Sequence, residues 1–583
     1  MFRTIDSIAE RARYDLVVIG AGAGGMSAAL FAAIRNRKVL LVESTEYVGG
    51  TSALSAATIW IPNSHHAAAV DQNDSRENAS HFLNAAVGNR SPAALREAFL
   101  DSGPEAIATL EAGSDVKLRP YATHPDYEQQ HEGATMRGRA MEPVPFDGRL
   151  LGEDLQRIRP PIPEFTIFGG MMVGRDDINH LLNVRTSWRS FAHAAKILAR
   201  YGVDRLSGPR GSRLVMGNAL IGRLLLSLRK HGADILTKTT VKDFVMQNGS
   251  VTGVVLASNG VTQRVLASKG VVLAAGGYNR HSTGPNGPPR QGPIHSPSAP
   301  GHTGAIQDLA IKLGARLGEG NLDSTYWAPV SIRRRPDGST AVFPHFTMDR
   351  SKPGTVCVDQ SGQRFVNESC SYHLFARAMF EHDRTRPCIP CFIITDITGL
   401  RKYGLGMVRM GTRNLAPHLA DGYLIEGATV AELAGKINVN AAALTRTVAN
   451  MNAYAKSGID PEFGRGTTPY HRVNGDASVG PNPTLGPVST APFYAVRLYP
   501  GDIGAATGLV INEWAQVTKA DEEPIAGLYA CGNEANSIMG GVYPGPGITI
   551  GPAITFAYRA VRHALNDTDA RQAVQVQQKE SLS

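Results

Sequence analysis

The run Tyr543-Pro544-Gly545-Pro546-Gly547 leads directly into the apolar stretch beginning at Ile548. Prolines fix such a turn and glycines leave its backbone bare. The helix that follows presents unpaired N–H groups and the positive end of its dipole. That combination holds something electron-rich: a phosphate, a flavin ring or a carbonyl oxygen. A second bare stretch, Gly20-Ala21-Gly22-Ala23-Gly24-Gly25, lies near the other end of the chain. Its glycines sit at the spacing that permits a tight turn, a close approach to a pyrophosphate and close packing of helix on strand.

The elements around these stretches narrow the choice. "DLVVI" has the length and composition of a buried strand, and "MSAALFAAI" has helical periodicity. "KVLLVES" then gives a second strand ending at Glu43, where an acid would hold an adenosine ribose hydroxyl. Gly49, Gly50, Thr51 and Ser52 follow at once and are small enough to line a pyrophosphate and an isoalloxazine ring, which favours FAD over NAD. Further on, Asn248-Gly249 predicts a hairpin turn. A buried strand closes on Ala274-Ala275-Gly276-Gly277, and another ends at Gly532-Asn533. One cofactor domain is therefore expected from both ends of the chain. Its candidate cofactor residues are Gly20, Gly22, Gly24, Gly25, Glu43, Gly50, Thr51, Ser52, Val241, Ala275, Gly276, Gly532, Asn533 and Ile548.

At 583 residues the chain exceeds what one core serves, so more than one domain is expected. The net charge of +8 comes from scattered basic residues, of which only Arg333 to Arg335 form a run, so nucleic acid is not an expected partner. The N-terminus lacks the apolar core of a signal peptide, and no apolar stretch is long enough to span a membrane; a cytoplasmic protein is expected. Five cysteines give no disulfide framework. Cys388 and Cys391 lack a second pair at zinc-site spacing and read as apolar packing, and no metal is expected.

Over nearly its whole length the chain resembles the flavoprotein family that contains 3-ketosteroid Δ1-dehydrogenases and, more distantly, fumarate reductase flavoproteins. The resemblance rests on "VIGAGAGGMSAAL", "GGTSALSAATIWIP", "GPRGSRLVMGNALIGRLL", "AAGGY", "GQRFVNESCSYH", "APFYAVRLYPGDIGAATGL" and "LYACGNEANSIMGGVYPGPGITIGPA". It implies an α/β fold in which a Rossmann-type FAD-binding domain is interrupted by a smaller α+β catalytic domain. The expected division is 1–321 and 496–570 for the FAD domain, 322–495 for the catalytic domain, and 571–583 as a tail. FAD would be non-covalent, since "GGTSALSA" offers no His. An electron acceptor such as a quinone would reoxidise it.

The family's chemistry implies roles for four residues. Tyr543 O–H and Gly547 N–H would clamp a ketone oxygen, Tyr372 would take the alpha proton, and Tyr127 would support Tyr372. His373 is a rival base. The implied substrate is a 3-ketosteroid undergoing 1,2-desaturation, with a smaller cyclic ketone or 4,5-desaturation of a 5α-steroid as alternatives. The Arg- and Pro-rich segment from Gly133 to Pro161 is expected to shape the substrate entrance. One departure from the family is that Ala305-Ile306 follows "SAPGHTG" where Asp-Gly is usual; the rival fumarate-type reductase would want an Arg proton donor, but Arg350 precedes Ser351-Lys352-Pro353-Gly354 and the expected Arg-Gly-acid-Gly run is missing.

Overall fold

The apolar run before Gly20 forms strand β1 (Ala12–Ile19), and the Ala-rich run after it forms helix α1 (Ala23–Ile34). All but the last residue of α1 are buried, so this helix is apolar on every side and sits inside the fold. Strand β2 (Val39–Val42) returns parallel to β1, with Leu16 opposite Val39 and Ile19 opposite Val42. These coordinates, a computed structural model, describe residues 1–184, 187–208, 210–280 and 295–566; the expected tail at 571–583 lies outside the described residues. Helix α2 (Trp188–Ser207) belongs to a small outlying unit with its own core of Met171, Val173, Ile197 and Tyr201.

Strand β3 (Val261–Leu273) links the halves of the first sheet. Its beginning pairs antiparallel with Ser250–Ser258, and its end lies parallel to β1 on one side and Pro524–Ala530 on the other. The expected hairpin is present: Asn248 and Gly249 take φ of 50° and 77° between Thr240–Gln247 and Ser250–Ser258. Among the described residues, chain from both ends thus builds one nine-stranded sheet.

The second sheet has six strands among the described residues and is antiparallel. Strand β4 (Thr325–Arg334) opens it, helix α3 (Tyr372–Asp383) packs against β4, and strand β5 (Phe493–Ala505) pairs with β4, Cys391–Asp396 and Ile425–Gly427. β5 runs unbroken through residue 495, where the domain boundary is expected, and on to Ala505. Helices Val430–Ile437 and Ala441–Ser457 cover one face of the sheet through Leu433, Leu444 and Met451. Cys388 and Cys391 are free, fully buried and part of the core on this sheet. Helix α4 (Ile550–Ala564), the end of the Gly/Pro stretch, packs on α1 and Ala93–Ala112. The result is an α/β fold interrupted by a smaller α+β unit. No helix among the described residues is long and apolar enough to cross a membrane.

Candidate active site

One cavity begins at the turn between β1 and α1 and ends among tyrosines contributed by both sheets. At its first end Gly20, Gly22, Gly24, Glu43, Gly50, Thr51 and Ser52 line it, joined by Val241, Ala275, Gly276, Gly532 and Asn533. Glu43 Oε2 accepts from Ala21 N at 3.0 Å, and its Oε1 accepts from Thr45 N and Oγ1. The acid therefore joins the end of β2 to the glycine turn. Ser52 Oγ accepts from Ala23 N, which fixes the "GGTS" loop against the same turn, and Thr51 Oγ1 accepts from Ala299 N.

Two of the expected cofactor residues do not line this cavity. Gly25 lies beneath the turn, where an added Cβ would fall 1.9 Å from the Gly20 carbonyl oxygen. Its smallness serves helix-on-strand packing rather than contact. Ile548 is buried against the core and faces a separate small void beside Phe556.

At the other end Tyr127, Tyr372, Tyr543 and Gly547 all line the cavity. The Tyr127 and Tyr543 rings stack with centroids 5.8 Å apart, and Tyr372 stands edge-on to both, at 5.6 and 5.2 Å. The Tyr372 hydroxyl interacts with those of the other two tyrosines, and the Tyr543 hydroxyl also with Thr549. Burial pushes all three hydroxyls up from the ordinary phenol value, and neighbouring phenols push Tyr127 and Tyr372 further. All three are therefore neutral donors at physiological pH. Gly547 has φ of 93°, and a Cβ there would lie 2.4 Å from the Thr58 carbonyl oxygen, so only glycine fits.

Each tyrosine has a built support. Tyr372 opens α3, whose N-cap Ser371 accepts from Leu374 N. Ahead of it, Arg364 and Glu368 of "RFVNES" form a buried ion pair at 2.7 Å that also engages Asp460. The motif's charged residues thus anchor the loop that delivers Tyr372. Tyr127 is held from two sides: its N–H donates to the Pro544 carbonyl at 2.7 Å, and its neighbour Asp126 accepts from Trp60 Nε1, Arg139 and Thr135 N. Arg139, in the segment expected at the entrance, is instead almost fully buried between Asp74 and Asp126. From the same segment, Arg159 reaches Thr45 at the other end of the cavity. Arg139→Met would leave both carboxylates without their cation and is expected to destabilise the protein by about 3–5 kcal/mol, read by denaturant unfolding of the FAD-loaded protein.

The rival base is turned elsewhere. His373 Nδ1 accepts from Trp327 N, and its Nε2 lies 3.2 Å from Asp323, so successive residues of α3 face different ways. Arg350 is buried, donates to the carbonyls of His345, Phe346 and Glu368, and does not line the cavity. Sequence reasoning missed Tyr470, Phe346 and Tyr326, whose rings lie 5.0 Å from Tyr127, 4.8 Å from Tyr372 and 5.1 Å from Tyr543. It also missed His302, beside Thr51 and Gly276. His302 Nδ1 and Arg159 Nε are buried without a partner although both residues line the cavity, which fits a large polar occupant at that end.

A family model described as an FAD binding domain matches residues 15–550. The chain is 32% identical over 561 residues to the 3-oxosteroid 1-dehydrogenase of Mycolicibacterium smegmatis, covering 94% of this chain and 96% of that protein. It belongs to the 3-ketosteroid Δ1-dehydrogenase-like family of FAD-dependent oxidoreductases. It is also 35% identical over 564 residues to the 4-oxocyclohex-2-ene-1-carboxylate 5-dehydrogenase of Sinomonas cyclohexanicum, covering 96% of this chain and 95% of that protein. Among solved structures, the 3-ketosteroid Δ1-dehydrogenase of Sterolibacterium denitrificans with 1,4-androstadiene-3,17-dione superposes with a TM-score of 0.88 at 33% identity, over 95% of this chain and 100% of that one. A flavocytochrome c3 fumarate reductase at 21% identity and a TM-score of 0.59 shares the fold.

Proposed function

We propose that this member of the family introduces a C=C bond alpha,beta to a ring ketone, with 1,2-desaturation of a 3-ketosteroid as the reaction. The observation that carries this is the Tyr127–Tyr372–Tyr543 cluster on the same cavity as Gly547 and the glycine turn. Tyr543 O–H and Gly547 N–H donate to the ketone oxygen and stabilise the enolate as its charge develops. Raised pKa values suit that task, because the donor keeps its proton. Tyr372 accepts the alpha proton as a phenolate, its own proton having passed beforehand by way of Tyr127 to solvent. FAD would be held non-covalently by the glycine turn, Glu43 and the Gly50–Ser52 loop, and when bound it supplies the acceptor for the beta-carbon hydride. A quinone as final acceptor and a cytoplasmic setting complete the reading.

A second reading is favoured by one observation: the relative at 35% identity is named for a cyclohexenone carboxylate. Turnover with a dye acceptor separates the two. The first reading predicts a higher kcat/KM for 4-androstene-3,17-dione than for 4-oxocyclohexanecarboxylate, with a product lighter by two hydrogens; the reverse ranking would replace the steroid with the smaller ring. The fumarate-type alternative has little support, because Arg350 is tied to backbone carbonyls away from the cavity.

A further inference from the structure

The cavity carries its charge unevenly. Among the described residues Glu43 is the one acid that lines it, at the cofactor end, whereas Arg175, the first residue of the helix Arg175–Leu182, lines it together with Tyr121 and His124 beside the tyrosine cluster. Arg175 is exposed, so it stands where this part of the cavity meets water. The acids around it are already taken. Asp176, next to it on the helix, and Glu142, which neighbours Tyr121, both pair with Arg119, at 2.8 and 2.6 Å. Asp177 pairs with Arg213 and His193, at 2.8 Å each. Arg175 makes no ion pair with any described residue.

Its surroundings leave the guanidinium ready for a partner. Its Cζ lies 5.1 Å from the centroid of the Tyr121 ring, so one face of the planar group rests on an aromatic and its N–H edge is left to donate. Burial first, and then Arg175, push the His124 imidazole down to about 3, which leaves that ring uncharged at neutral pH. Lys352 adds a second cation behind the wall: its Nζ donates to the carbonyls of Asn474, which lines the cavity, and Gly475, at 2.9 and 2.7 Å. The potential at this end is therefore positive, with no acid lining it to cancel it.

The same wall leads from Arg175 to the ketone site. Ring centroids step from Tyr121 to His124 at 4.7 Å, from His124 to Tyr127 at 6.5 Å and from Tyr127 to Tyr543 at 5.8 Å. An apolar ring system lying along these rings would have its carbonyl at Tyr543 and Gly547 and its other end toward Arg175. We propose that Arg175 receives a carboxylate carried at that other end, which makes the substrate a keto acid. The inference rests on the ring-ketone reading given above, and it holds alike for an acid on a steroid side chain and for one on a single ring. A planar guanidinium meets a carboxylate through two parallel N–H bonds, which a neutral ester does not match.

The test compares each acid with its own methyl ester in anaerobic flavin reduction by the FAD-loaded protein, using 3-oxo-4-cholen-24-oate for the steroid and 4-oxocyclohexanecarboxylate for the single ring. In at least one pair the acid is expected to show about tenfold higher apparent affinity than its ester, the size of a charge-assisted contact open to water. Added salt should shrink that advantage. Arg175→Gln should remove it by weakening the acid about tenfold while the ester stays within about twofold, and Arg175→Lys should restore part of it, as a charge without the planar fork. The pair that shows the preference identifies the ring system. Equal affinity for acid and ester in both pairs would overturn the proposal while the ring-ketone reading stands. So would an Arg175→Gln protein that keeps the preference, or one that loses acid and ester alike. No flavin reduction by any of these compounds would overturn the ring-ketone reading and this inference with it.

Discussion

Tyr543→Phe lowers the rate of ketone-driven flavin reduction about 10²–10³-fold while leaving FAD content unchanged. The expected size is that of losing one donor from an oxyanion site. The ring itself is held by stacking on Tyr127 and by edge contacts with Tyr326 and Tyr372, so phenylalanine keeps the packing and removes only the hydroxyl. Stopped-flow absorbance with an excess of ketone reads the rate directly. Because the hydroxyl stabilises charge that develops in the transition state, the loss should fall on the limiting rate more than on apparent ketone affinity. An effect confined to affinity would make Tyr543 a binding residue and place the enolate elsewhere.

Tyr372→Phe should cost about 10²–10⁴-fold, the range for removing a positioned general base, and it should also change the pH profile. Burial first, then the neighbouring phenols of Tyr127 and Tyr543, raise the Tyr372 hydroxyl well above its ordinary value of 10.0. A phenol so raised is protonated throughout the neutral range, and its ionised fraction grows about tenfold per pH unit until the raised pKa is reached. The parent's flavin-reduction rate should therefore climb with pH from neutrality and show no plateau below about 10. In Tyr372→Phe that climb should be absent. A parent profile that levels off near pH 7 would point to a histidine in place of the tyrosine.

Sequence exposed the two ends of the cavity unequally, for physical reasons. The cofactor end follows from local turn chemistry: glycines between a strand and a helix, and an acid at the end of the next strand, belong to one short stretch and fold next to each other. The Gly/Pro turn before α4 is legible in the same way. Tyr372 and Tyr127 are not, because a tyrosine carries no local signature; only resemblance separated them from the other tyrosines. Tyr470, Phe346 and Tyr326 stayed hidden because each comes from a different part of the inserted unit and meets the others only in the tertiary fold. The burial of Arg139 was not legible, because nothing local to an Arg-rich run announces the two buried carboxylates that enclose it. The boundary at 495 falls inside β5 because this strand pairs in the second sheet from Phe493 through Ala505.

The central claim is that the tyrosine cluster drives removal of hydrogen from a ring ketone. Anaerobic mixing of the FAD-loaded protein with 4-androstene-3,17-dione, and separately with 4-oxocyclohexanecarboxylate, tests it most directly through absorbance near ~450 nm, where oxidised flavin absorbs. The account predicts rapid bleaching of the parent by at least one of the two ketones and none on the same timescale in Tyr372→Phe/Tyr543→Phe. Equal bleaching of the parent and the double variant, or none of the parent by either ketone, would contradict it.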